Sequence, residues 1–79
     1  MATAFVLLNI LPGEGEKVVD VLEKMKHVRE VYLLDGAYDA IVKAWGRGYG
    51  NIEGGNNMDI RRVEEVTSTI TLIVADSKV

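Results

Sequence analysis

Two stretches of the chain carry side chains able to recognise a small polar molecule. The first runs from Leu33 to Lys43, reads LLDGAYDAIVK, and holds Gly36, Tyr38 and Asp39. A turn glycine exposes backbone N–H groups, a tyrosine offers a flat wall with a hydroxyl at its tip, and an aspartate only accepts hydrogen bonds. The second stretch, Thr67 to Ala75, holds Thr67 and Thr69. Alternate residues of a strand share a face, so these two hydroxyls would point the same way. An α-amino acid needs an acceptor for its ammonium group and donors for its carboxylate. Asp39 meets the first need, the backbone around Gly36 and the hydroxyls of Thr67 and Thr69 meet the second, and Tyr38 can flank the side chain. Each residue alone is an ordinary turn or strand former. The reading depends on their coming together, which a sheet order of 4-1-3-2 would achieve.

Other chemistries find little support. His27 is the only histidine and reads as a helix-end residue that is solvated or complements the dipole. There is no HxxxH pattern, no carboxylate pair at metal-ligand spacing and no cysteine, so no metal site is expected. Ser68 and Ser77 have no histidine near them in sequence, which argues against triad chemistry. The glycine-rich run GRGYG, followed by NIEGGNN, lacks both G-x-G-x-x-G and a G-K-[ST] ending, so it is a poor phosphate loop. Nothing calls for a cofactor. Trp45 and Tyr49 beside Arg47 suit packing better than nucleic-acid stacking, because the flanks are acidic.

Composition sets further bounds. Seventy-nine residues make one small domain, 1–79, which would bury only about 60 to 65% of its unfolded surface. A hydrophobic content of 48% is high for so small a chain and favours self-association. A net charge of −3 opposes direct nucleic-acid binding. The cluster Lys24, Lys26, His27 and Arg29 is diluted by Glu23 and Glu30 and reads as a solvated helix end. No apolar run is long enough to span a membrane, and the amino terminus lacks the layout of a signal peptide. A cytoplasmic protein without a membrane partner is expected.

The recognition residues need a scaffold. Ala2 to Leu11 is almost wholly apolar and reads as a central strand, stopped by Pro12 and Gly13. Val18, Val21, Leu22 and Met25 recur at helical spacing within Glu14 to Lys26, with acidic residues leading and basic residues closing. Val28 to Leu34 and Tyr38 to Trp45 read as two strands joined by a tight turn at Asp35 and Gly36. Between Gly46 and Asn57 the composition turns to glycine and asparagine. Each glycine there costs a helix about 1 kcal/mol against alanine, so a second helix is expected from Met58 to Glu65, capped by Asn57. Thr67 to Ala75 closes the chain as a strand. The order strand, helix, strand, strand, helix, strand is the split βαβ pattern of an α+β, ferredoxin-like fold. It gives an antiparallel four-stranded sheet with two helices on one face and leaves the other face for a second copy.

The string GAYDAIVK resembles the Gly-x-Tyr-Asp hairpin of the effector-binding (RAM) domain of the Lrp/AsnC, or feast/famine, transcription regulators. The block from Ile60 to Val74, IRRVEEVTSTITLIV, resembles the second-helix end and Thr-x-Thr final strand of that domain. The glycine-rich stretch departs from the family, where the corresponding helix is rich in Leu and Glu. The resemblance implies a βαββαβ dimeric sandwich, with an octamer of four dimers compatible with it. It also implies an amino acid effector held between dimers by Gly36, Tyr38, Asp39, Thr67 and Thr69. Since the first strand starts at residue 2, the expectation is a stand-alone module without a helix-turn-helix reader. It would act in transcription regulation by binding an effector or by assembling with full-length regulators, not as an enzyme. The rival readings are a small dimeric α+β barrel enzyme, such as a cofactor-free monooxygenase or isomerase using His27 and Asp39, and a purely structural assembly piece.

Overall fold

The computed structural model of the protein describes residues 2–46 and 60–74. Within them lie β1 (Ala2–Ile10), α1 (Gly15–Glu23), β2 (Val28–Leu33), β3 (Ala40–Gly46) and β4 (Val66–Ile73). The strands form one antiparallel sheet in the order β2-β3-β1-β4, the arrangement expected from the sequence. β1 is central because it is apolar on both faces. Ala4, Val6, Leu8 and Ile10 are buried, the last three in one cluster with Val18 and Leu22 of α1, while Phe5 and Leu7 between them point to the opposite face and are only half-buried.

α1 buries Val18 and Leu22 against that first face. Its chain enters through Gly13, whose φ of 82° lies in the left-handed region that glycine adopts without penalty. The helix stops at Glu23 with no basic residue in its last turn. Lys24 and Lys26 therefore follow the helix, where the sequence had suggested that they close it. The core joins Val6, Leu8, Val18, Leu22, Val42 and Ile60, all fully buried. Ile60 joins that cluster together with Val18 and Leu22 of α1, so its side chain lies on the same face of the sheet as α1. Ile60 and Arg61 are helical and Arg62 to Glu65 form a turn, shorter at this end than the helix to Glu65 that spacing suggested. The proposed cap Asn57, Met58 and nearly all of the glycine-rich run lie outside the described residues.

The second sheet face is apolar at its centre, polar where Glu30 of β2 meets Lys43 of β3, and uncovered by any described element. Leu7 pairs with Ile41 and Ile70, and Phe5 pairs with Leu72. Tyr32, Leu72 and Ile70 there are 56%, 51% and 44% exposed. The β2–β3 connection also differs from expectation. No tight turn forms at Asp35 and Gly36. A wider loop is closed by the Leu34 N–H donating to the Asp39 carbonyl at 2.8 Å, and Gly36 does not use a positive φ. β3 thus begins at Ala40, leaving Tyr38 and Asp39 in the loop.

Candidate functional site

The residues singled out from sequence gather around the carboxyl end of β1, but on two sides of it. Leu8 pairs with Ala40 of β3 on one side and with Thr69 of β4 on the other. Just beyond, the β1–β4 register shifts between Asn9 and Ile10.

Asp39 occupies the position where β3 would have continued along β1. Its N–H donates to the Leu8 carbonyl at 2.8 Å, and its Oδ2 accepts from the Ile10 N–H at 2.8 Å. The carboxylate therefore extends the ladder one step past the end of the strand. Its second oxygen keeps its acceptor capacity. A cavity of about 190 Å³ lies between Asp39, Leu33 and the turn from Ile10 to Gly13. The hairpin loop is tied back by Asn9, whose Nδ2 donates to the Ala37 carbonyl at 3.0 Å. Gly36 is exposed with open space where a Cβ would stand. Tyr38 is half-buried.

On the β4 side a second cavity of about 320 Å³ is lined by Arg61, Val66, Thr67, Ser68 and Thr69. Arg61 Nε donates to Thr69 Oγ1 at 3.1 Å, and the Ser68 hydroxyl donates to Asn9 Oδ1 at 2.7 Å. The two cavities share no lining residue among the described ones. With β1 between them, Asp39 and Thr69 stand two strand spacings apart, about 10 Å. The ammonium and carboxylate of one α-amino acid, joined through a single carbon, do not span that gap. The structure thus brings Thr67 and Thr69 together and sets Asp39 apart from them. Arg61 escaped sequence reasoning. Its signal was a cation at a helix end eight positions before a strand threonine.

The two sides are braced from below. Lys17 Nζ meets Glu65 Oε2 at 2.6 Å, and the Leu11 N–H donates to the Glu65 carbonyl at 2.9 Å. The hydrogen bond from Lys17 holds the Glu65 carboxyl below its ordinary range, and the same bond raises Lys17. On the uncovered sheet face, the Tyr32 hydroxyl donates to Glu30 Oε1, and Lys43 Nζ lies 3.5 Å from Glu30 Oε2. The Tyr32 hydroxyl is the main cause that lowers Glu30, and Glu30 in turn raises Tyr32. Among the described residues no cluster of His, Cys, Asp or Glu could hold a metal ion. No described helix is long and apolar enough to cross a membrane.

The profile of the Lrp/AsnC ligand binding domain matches residues 3–79. The crystal structure of FFRP-DM1 is 32% identical, with a TM-score of 0.87 over 94% of this chain and 99% of that one. The hypothetical protein PHS023 from Pyrococcus horikoshii is also 32% identical, with a TM-score of 0.86 over 94% of this chain and 89% of its own. The fold is shared too by the transcriptional regulator NMB0573 from Neisseria meningitidis, solved as an L-Met complex. It is 14% identical with a TM-score of 0.82, over 96% of this chain and 51% of the regulator. No curated protein matches the chain.

Proposed function

The chain belongs to the Lrp/AsnC ligand-binding domain family, and from that premise we propose that it binds an amino acid or similar small effector and couples binding to self-association. The residues proposed to hold the effector are Gly36, Tyr38 and Asp39 on the hairpin side and Thr67 and Thr69 on the β4 side. The observation that carries the reading is the pair of cavities flanking the end of β1, one bounded by an acceptor and the other by donors. Because one chain holds them too far apart for a single α-amino acid, the complete site is a seam between copies. A solved relative in complex with L-Met supports the choice of ligand class.

The uncovered sheet face supplies the surface for association, since Tyr32, Ile70 and Leu72 expose apolar area that a second copy would bury. An effector lodged at a seam stabilises the assembly that binds it better, by no more than its differential affinity. Assembly with full-length regulators of the family is the second partner class in this reading. An enzymic role has little in its favour. His27 sits beside Trp45 at one end of β3, where its carbonyl accepts from the Trp45 N–H. Asp39 precedes Ala40 at the other end.

Titration calorimetry of the full chain against a panel of amino acids at millimolar concentration tests the proposal. Saturable heat with one or a few of them supports sensing; no heat with any of them removes the amino acid effector.

A further inference from the structure

The geometry points to Arg61 as the residue that receives an oxyanion in the β4-side cavity, and specifically the carboxylate of the effector. That assignment deepens the reading above and rests on it. Arg61 is fixed at its inner edge by the bond from Nε to Thr69 Oγ1 at 3.1 Å. A guanidinium carries five N–H donors. One is used on Thr69, and those on the terminal nitrogens form a fork that fits a carboxylate edge on. No ion pair to Arg61 is found among the described residues.

The hydroxyls around it can be sorted by what they have left to offer. Thr69 oxygen accepts from Arg61, so its proton remains available to a ligand. Thr67 is exposed and likewise able to donate. Ser68 has directed its proton to Asn9 Oδ1 at 2.7 Å and does not contribute one. Among the described residues no acidic side chain lines the cavity. It therefore presents donors and a positive charge to whatever enters, which favours an oxyanion and disfavours an ammonium group. Its volume of about 320 Å³ is at the small end of sites for small molecules. Asp39, across β1, has the opposite chemistry, so the two cavities are complementary half-sites.

Carboxylate and phosphate could use the same donors, and the test separates them. The full chain is followed by heteronuclear NMR through the Arg61 Nε–H and the backbone amides of Thr67, Ser68 and Thr69. Acetate is titrated first, then inorganic phosphate, then each amino acid that gave heat by calorimetry. Acetate should shift these resonances saturably. Arg61→Gln should abolish the shifts and weaken any bound amino acid by about tenfold to a hundredfold, the usual worth of a charge-assisted hydrogen bond. Arg61→Lys, which keeps charge but loses the fork, should weaken it by less. Thr69→Val, which frees the guanidinium without removing it, should fall between wild type and Arg61→Gln.

An amino acid that binds wild type and Arg61→Gln within twofold would overturn the role of Arg61 while leaving sensing intact. Acetate shifts lost in Arg61→Gln, with no amino acid bound by wild type, would uphold the anion site and remove the amino acid effector. Phosphate binding tenfold tighter than acetate would overturn the carboxylate assignment, and no response to either anion would overturn the site.

Discussion

The Asp39 carboxylate accepts the Ile10 N–H at 2.8 Å across 29 residues of sequence. The bond sits where the β1–β4 register shifts, and it ties the hairpin loop to the end of the central strand. Removing the acceptor would strand a partly buried N–H, at a cost of about 1 to 3 kcal/mol. Asp39→Ala should therefore lower stability by that amount in urea denaturation. Asp39→Asn, whose amide oxygen can still accept, should cost about 1 kcal/mol or less. An Asp39→Ala variant as stable as wild type would show that the loop does not depend on this bond.

The helix is held by few residues. Leu22 is fully buried against Val6, Val18, Val42 and the rest of the core cluster, so Leu22→Ala leaves a cavity. A loss of about 2 to 5 kcal/mol is expected, a large fraction of a small domain's stability. The measurement is the shift in denaturation midpoint at unchanged slope. A loss under about 1 kcal/mol would mean that α1 packs differently.

Acid should weaken the brace beneath the site. The Glu65 carboxyl lies below its ordinary value of 4.5, chiefly through the hydrogen bond from Lys17. Its support is thus complete above about pH 4.5 and is lost as pH falls through the folded-state value. Lys17 lies above 10.5, so its share holds below that pH and disappears as pH rises past the folded value. The Lys17 side chain is 62% exposed, so the effect is small and shrinks with salt. Between pH 7 and 3 the melting temperature of wild type should fall more than that of Glu65→Gln. Parallel curves would show that the pair contributes nothing.

The uncovered sheet face should be the one that associates. Leu72 and Ile70 lie exposed there at 51% and 44%, so Leu72→Glu or Ile70→Lys would place a charge where a partner must lose water. Sedimentation velocity should show either variant shifting toward single chains by at least tenfold in dissociation constant, with unchanged circular dichroism. An unaltered oligomer would move the interface elsewhere.

Much of the scaffold was legible because hydrophobic period tracks burial. The continuous apolar run of β1 and the three-and-four spacing of Val18 and Leu22 correspond to the central strand and the helix face that build the core, and the sheet order followed from the element order. Details that depend on contacts across sequence were not legible. Asp35 and Gly36 look like a tight turn, but the Leu34 to Asp39 backbone bond and the tie from Asn9 to Ala37 set a wider loop. Asp39 looks like a spare carboxylate until Ile10 is found beside it. Gly36, Tyr38, Asp39, Thr67 and Thr69 could all be picked out by type. The expected sheet order already set β1 between Asp39 and the threonines, whereas the link from Arg61 to Thr69 was legible only in the folded chain.

Static light scattering of the full chain, with and without the amino acid that gives heat by calorimetry, tests most directly whether binding and assembly are linked. A particle of at least two 8.7 kDa chains, whose mass distribution changes on adding that amino acid, is the expected result. A single chain at every concentration, unmoved by any amino acid, would contradict it.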